Sequence, residues 1–441
     1  MITTCDYNTI EVTSEQIEDL KHIANTELSN ISLDDHPHLL VFPNSFERYE
    51  RDFARKMICS IDSESKRLQT NSIVGFVGYN ETHLAIHSRF AKTSAEDYFL
   101  HYMLQRVAKI NLLELKHTSN EESVFDFLIY LFPYYLKKAL QQGLFKRYVS
   151  RKYNDANIKG VIDINRHIRH NYPFNGRIAY STREYSCDNE VTQLIRHTIE
   201  HITSINPNIL SSDYETREAV SQIRSITQTY SQQARQVVIH KNLRPVIHPY
   251  YSEYTSLQRL CLQILRHEEL KFGHDKDKIY GVLIDAAWLW EEYLAIVIQE
   301  HYNHYLKERG KIFSLFNNIH QQIIPDYISK DMSIVADAKY IPLNKQAEYG
   351  EEKATAVYYK TITYMYRFCT DIAYLLYPIP SNNQDPKEKN LYITCEREGV
   401  NGGRIIKEGL RIPQECNSFD EFTNAMQQSE DQFIKSITPN S

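Results

Sequence analysis

The sequence predicts an α+β N-terminal region over residues 1–272 followed by an α/β domain over 273–441, the latter a small mixed sheet flanked by helices. Three observations carry that expectation. Short apolar runs bounded by turn residues mark strands in the first hundred positions. Runs with apolar residues three and four apart mark helices through the middle. The last third then orders its segments helix, strands, helix, strand, as layers packed on one sheet do. At 441 residues the chain is also too long for one simple core, and a further break near 120–150 divides the N-terminal region into two subdomains.

Taken in order, HLLVFP (38–43) is a short strand, and SIVGFVGYNETHLAIHSRF (72–90) is a pair of strands joined at Tyr79-Asn80-Glu81. Thr93 or Ser94 offers a helix N-cap, with Glu96 and Asp97 in the first turn, ahead of YFLHYMLQRVAKI. A second helix, VFDFLIYLF, should break or restart at Pro133. NIKGVIDI and RIAYSTREY return to strand character around a polar stretch holding Pro173 and Gly176. Helices then follow at VTQLIRHTIEHI, across the polar 213–240 segment, and at TSLQRLCLQILRHEEL. HDKDK (274–278) reads as the linker into the last domain. That domain opens with YGVLIDAAWLWEEYLAIVIQEHYNHYLKE, read as one apolar helix of at least six turns. QQIIPDYIS, MSIVADAKYIP and LYITCEREG read as strands, with AVYYKTITYMYRFC a helix between them.

Composition narrows the class. An apolar fraction of 42 % with 24 % charged residues is that of a folded soluble protein, and no run is long and apolar enough to span a membrane. The acidic start, MITTCDYNTIEVTSEQIEDL, lacks the basic and apolar regions of a secretory signal. Seven scattered cysteines without a C-x-x-C pair fit reduced thiols in a cytoplasm. The net charge of −6 hides an asymmetry: residues 1–36 hold eight acids against Lys21 alone, whereas 137–183 holds eleven Lys or Arg against Asp155 and Asp163. That basic window reads as a solvated surface, a phosphate-contacting face or a contact for an acidic partner. Its interleaved Tyr148, Tyr153, Tyr172, Phe174 and Tyr180 suit either stacking on unpaired bases or a core.

The chemistry concentrates at Pro325-Asp326 and, eleven residues on, Asp337-Ala338-Lys339. Side chains alternate along a strand, so Asp337 and Lys339 point the same way. If Asp326 ends the neighbouring strand, two carboxylates and an ammonium converge. Two carboxylates with room for water suit Mg2+, and the lysine could orient water or neutralise charge in a phosphoryl transition state. A bare P-D plus D-x-K is common, and a salt-bridged surface strand would explain it equally. VADAKY is apolar enough to be buried, however, so its charges need a reason to be there. Glu291 in WLWEEYL offers a third acid, and Tyr364, Tyr366 and Arg367 lie on the following helix.

Strand, Pro-Asp, strand, Asp-x-Lys after an acid-bearing helix resembles the PD-(D/E)xK nuclease fold. WEEYL, IIPDYI, IVADAKY and KTITYMYRFCTDIAYLLYPI resemble the McrC family, the nuclease subunit of McrBC modification-dependent restriction systems. IKGVIDINRHI, EYSCDNEVTQLIRHTI and GFVGYNETHLAIHSRF extend the likeness upstream. The resemblance implies a magnesium-dependent endonuclease with Asp326, Asp337 and Lys339 as its catalytic triplet, Asp326 and Asp337 as metal ligands, and Glu291 as the helix acid. It also implies a partner: an McrB-like AAA+ GTPase hexamer that recognises modified cytosine in DNA. The N-terminal half would dock on that motor and stimulate its GTP hydrolysis, and the C-terminal half would cut. One departure stands out. The family often carries a glutamine followed four residues later by tyrosine after the triplet, and Tyr364 and Phe368 occupy those places here.

Other signals compete. The chain holds no G-x-x-x-x-G-K-[ST], so nucleotide hydrolysis falls to a partner. His197-x-x-Glu200-His201 spells an inverted zinc-peptidase pattern, but no third ligand is identifiable and a structural helix explains it as well. His36-Pro37-His38 reads as a loop, and Gly399-Val400-Asn401-Gly402-Gly403 as a turn. An adaptor that activates the motor with a weak or silent nuclease is the alternative function.

Overall fold

The computed structural model describes residues 2–28, 31, 39–42, 56–62, 64–79, 82–91, 97–108, 121–211, 213–270, 279–304, 313–318, 321–342, 351–383, 389–394 and 402–438. The chain falls into two compact units: Met1–Val124 together with Asp275–Ser441, and Phe125–His274. The divisions fall at 124/125 and 274/275, and residues 1–124 group with the C-terminal third rather than with 125–274.

The first unit begins with β1 (Ile2–Cys5), β2 (Thr9–Glu11), α1 (Ser14–Leu20), β3 (Leu39–Phe42), β4 (Cys59–Asp62), β5 (Arg67–Thr70), β6 (Ile73–Tyr79), β7 (Thr82–His87) and α2 (Tyr98–Ala108). β6 and β7 pair antiparallel as expected, with the turn residues Asn80 and Glu81 outside the described residues. So are His36-Pro37-His38, Thr93 and Ser94. The helix cap is Asp97, whose carboxylate accepts the N–H groups of Leu100 at 3.1 Å and Ser88 at 2.7 Å.

The second unit is mostly helical: α3 (Glu121–Gln141), β8 (Arg147–Asp155), β9 (Val161–Ile162), α4 (Ile164–Asn171), β10 (Ile178–Ser186), α5 (Glu190–Ile205), α6 (Tyr214–Ile226), α7 (Arg235–Lys241) and α8 (Glu253–Leu270). Pro133 does not break α3, contrary to expectation. The lost hydrogen bond and ring clash cost ~3 kcal/mol, which burial of Leu128, Leu131, Phe132, Leu136 and Ala139 offsets. The polar stretch after NIKGVIDI begins as a helix, α4, started by Asp163, which accepts the Arg166 N–H, and Pro173 and Gly176 follow its end. α5 opens with a capping box between Asn189 and Thr192. The β8, β10 and β9 strands form an antiparallel sheet in that order.

The chain then returns to the first unit with β11 (Ile279–Asp285), α9 (Ala286–Val297), β12 (Tyr302–His304), β13 (Phe313–Ser314), β14 (Gln322–Ile323), β15 (Tyr327–Ser329), β16 (Ile334–Ala338), α10 (Glu351–Phe368), β17 (Ile372–Pro380), β18 (Asn390–Tyr392), β19 (Arg404–Ile412) and α11 (Phe419–Ile437). The long helix expected from Tyr280 is in fact a strand, a three-turn helix and a second strand. Asp285 ends β11 and caps α9 by accepting the Ala287 N–H at 3.0 Å. β11 is inserted between β6 and β3, completing the sheet β1-β7-β6-β11-β3. This strand ties residues 1–124 to the last third. Glycine is required where β6 and β11 approach: Gly281 has φ +137°, and a Cβ there would lie 2.1 Å from the Phe76 carbonyl oxygen.

Below β11, α2 packs on α9 through an aromatic cluster, with Phe99 6.2 Å from Trp290 and Tyr102 5.9 Å from Tyr293. The second large sheet runs β12-β15-β16-β17-β19-β18. Its β16-β17 and β17-β19 pairs are parallel and the rest antiparallel, a small mixed sheet as expected. α10 covers one face with Tyr364, Met365 and Phe368 against Val335, Leu375 and Tyr377.

Candidate active site

The antiparallel register of β15 and β16 sets Tyr327 against Ala336 and Ile328 against Val335. One step further along that register brings Asp326 opposite Asp337. Pairs directly opposite share a face, so Asp326 and Asp337 lie on the side of the sheet that Val335 and Ile328 present to α10. Asp326 Oδ2 accepts the Ala338 N–H at 2.7 Å, fixing its carboxyl at the end of the ladder. The Lys339 N–H continues the pairing with β17 by donating to the Leu376 carbonyl at 2.8 Å.

Asp337 is fully buried. Both of its carboxylate oxygens lack a hydrogen bond of good geometry, and each faces an ammonium. Lys339 Nζ pairs with Oδ2, and Lys360 Nζ stands 3.9 Å from Oδ1. Burial works to raise the Asp337 carboxyl, but the Lys339 and Lys360 charges outweigh it and hold the group below the usual carboxylate range. Asp326 goes the other way. Desolvation, with repulsion from Asp337 and Glu291, pushes it well above its ordinary value. Burial likewise opposes the Lys339 charge, yet Asp337 and Asp326 hold that ammonium above its ordinary range.

Glu291 is buried on α9 within electrostatic reach of this pair. Burial, then Glu292 and Asp337, drives its carboxyl well above the usual range. Its hydrogen-bond partner is His304 on β12, with Nε2 3.0 Å from Oε1. The Tyr327 hydroxyl donates to the Glu291 carbonyl at 2.5 Å, locking that turn of α9 to β15. The sequence thus led to four residues that the fold gathers. It missed His304, which sits on a three-residue strand, and Lys360, which reads as an ordinary solvated helix charge.

Tyr364, expected where the family often has glutamine, is anchored in the core, its hydroxyl donating to the Ile324 carbonyl at 2.7 Å. The side chain aimed at Asp337 comes from one turn earlier, at Lys360. Tyr366 points to solvent, and Arg367 Nε bonds the Ser314 carbonyl at 2.9 Å. Among the described residues, no group of three or more His, Cys, Asp or Glu side chains is arranged to hold a metal ion.

The competing motifs resolve into structure. Buried His197 packs on the Tyr230 ring at 4.7 Å, and Glu200 pairs with Arg196 at 2.8 Å and Arg224 at 3.0 Å. The six described cysteines form no disulfide among the described residues, and Cys395 lies outside them. In the basic window, Lys137, Lys138, Arg147, Arg151 and Arg166 pair with Asp213, Glu253, Glu190, Asp188 and Asp163 respectively. Tyr148, Tyr153, Tyr172 and Phe174 are exposed, while Tyr180 is core. None of the described helices is long and apolar enough to cross a membrane.

Comparison with known proteins decides the family. Residues 68–378, well over half of the chain, match the family described as the McrBC 5-methylcytosine restriction system component. The chain belongs to this family. Its matched span contains Glu291, Asp326, Asp337, Lys339 and Lys360. Two solved structures are similar. One, a half-complex from a tetradecameric assembly of Thermococcus gammatolerans McrB AAA+ hexamers with bound McrC, aligns at 14 % identity with a TM-score of 0.45, covering 98 % of this chain and 99 % of that one. The other, the cryo-EM structure of the Thermococcus gammatolerans McrBC complex, aligns at 14 % identity and TM-score 0.31 over 71 % and 89 % of the respective chains. No curated protein matches the sequence.

Proposed function

We propose that this chain is the McrC-like nuclease subunit of an McrBC restriction system, a PD-(D/E)xK endonuclease that cuts modified DNA with Mg2+ alongside an McrB-like AAA+ GTPase. The observation that carries the reading is the convergence of Asp326, Asp337 and Lys339 at the mouth of one strand pair, in a chain of the McrBC family. A surface salt bridge needs no second carboxyl pressed against the first, and here the crowding costs stability.

The residues fit the ion. Two adjacent carboxylates, one with both oxygens buried and without a well-oriented donor, suit a hard cation that retains several waters. Asp326 and Asp337 would hold it. When bound, Mg2+ supplies Lewis acidity toward water and a phosphoryl oxygen. The chain's own groups do the rest. The Ala338 N–H keeps Asp326 aimed at Asp337. Lys339 places a fixed positive charge where a phosphodiester gains negative charge in its transition state, and it is already held in position. Glu291, oriented by His304, borders the same space as the helix acid.

The motor contact we assign to the second unit, which exposes Tyr148 and Tyr185 on its β8-β10-β9 sheet and Tyr172 and Phe174 just after α4, among basic residues. The test is reconstitution with an McrB-like partner, GTP, Mg2+ and methylated DNA, comparing the wild type with Asp337→Ala. Cutting by the wild type alone supports the nuclease. Equal cutting by both removes the catalytic assignment. GTP turnover that rises on addition of a chain that never cuts favours the motor-activating adaptor.

A further inference from the structure

Lys360, like His304, is a site feature that neither the sequence pattern nor the proposed triplet accounts for. It lies on α10 one turn before Tyr364, whose ring is packed in the core and whose hydroxyl is tied to Ile324. Residues four apart on a helix share a face, so the anchored tyrosine fixes the direction in which Lys360 leaves the helix. Its Nζ passes 5.5 Å from the Tyr364 ring centroid and ends 3.9 Å from Asp337 Oδ1.

The two lysines on Asp337 are not equivalent. Lys339 is mostly buried and sits in close contact with Oδ2, whereas the Lys360 side chain is 51 % exposed and stands further from Oδ1. An ammonium on a flexible stem at the solvent edge is held weakly and can exchange partners. Standing 3.9 Å from Oδ1, it also competes with a cation for one of the two Asp337 carboxylate oxygens. Resting on the nuclease reading above, we infer that Lys360 is a phosphate-binding residue of the site: it covers Asp337 Oδ1 in the free protein and transfers to a DNA phosphate oxygen when substrate arrives, freeing Oδ1 for the metal.

Two measurements on the full chain test this, one of them independent of cutting. Mn2+ binding without DNA, followed by calorimetry, should tighten several-fold in Lys360→Ala, because a competitor for Asp337 has gone. In the reconstituted cutting assay with Mg2+, the same variant should show a roughly 10-fold higher KM. Its DNA binding in Ca2+ should lose about 0.9 from the slope of log affinity against log salt. Lys360→Arg should restore most of the KM. Unchanged or weaker Mn2+ binding together with an unchanged KM overturns the inference. Asp337→Ala separates the two failures. If it abolishes cutting while Lys360→Ala behaves as wild type, only the role of Lys360 falls; if it cuts normally, the nuclease reading falls with it.

Discussion

Residues 275–441 should not fold when expressed without residues 1–124. The reason is β11, which is hydrogen-bonded to β6 along seven residue pairs and to β3 along four. Removing those neighbours strips both edges of the strand and exposes Ile279, Val282, Leu283 and Ile284, each at most 4 % exposed in the intact unit. Full burial of such side chains contributes about 1.5–3 kcal/mol each. Four of them amount to roughly 6–12 kcal/mol, an upper estimate because unfolded chains bury some area themselves. The fragment further loses the Lys56–Asp285 ion pair at 2.6 Å and the packing of Phe99 on Trp290 and Tyr293. Domains of this size are stable by about 5–15 kcal/mol in total, so little or nothing remains. Thermal melting followed by circular dichroism, with an amide NMR spectrum of the fragment against the full chain, reads the outcome directly. A cooperative melt with dispersed amide signals from the isolated fragment would refute the reasoning, because it would show that β11 owes little to β3 and β6.

Three further outcomes are expected. Gly281→Ala places a Cβ 2.1 Å from the Phe76 carbonyl oxygen at φ +137°, so the urea midpoint should fall by the equivalent of about 2–4 kcal/mol. An unchanged midpoint would mean that the two strands separate easily. His197 is held down to about 4 by burial and then by Arg235 and Arg196; below its unfolded value near 6.5 the unfolded chain binds a proton that the folded one refuses. Stability therefore falls as pH drops from 6.5 toward 4, by about 2 kcal/mol at pH 5. His197→Phe should flatten that slope in urea titrations at pH 7 and 5. Asp326→Asn keeps an acceptor for the Ala338 N–H while relieving its repulsion with Asp337 and Glu291. Its melting temperature should hold or rise, corresponding to ~1 kcal/mol, while cutting is lost; a clear drop in melting would show that the carboxyl itself supports the fold.

How much was legible in the sequence depended on what each signal could distinguish. The Asp337/Lys339 geometry follows from strand alternation alone, and the hairpin of β6 and β7 from its turn residues. β11 was missed because a strand covered on both sides reads as an unbroken apolar run, which period alone does not separate from a buried helix. The clue was Asp285, an N-cap lodged inside what looked like one helix. β17 hid similarly behind α10: the helix ends at Phe368, Cys369 adopts φ +54°, and the apolar run then continues as the central strand of the second sheet. Pro133 was over-read, since its local penalty is smaller than the packing around it. Lys360 could not be found from sequence at all. A lysine on a helix surface has no visible partner until the fold places Asp337 Oδ1 in front of it.

The central claim is that cutting resides at Asp326, Asp337 and Lys339, apart from motor activation. Measuring DNA cleavage and GTP turnover side by side on Lys339→Ala with an McrB-like partner tests it most directly. The account predicts cleavage lost and stimulated GTP turnover retained. Cleavage at the wild-type rate in that variant would contradict it.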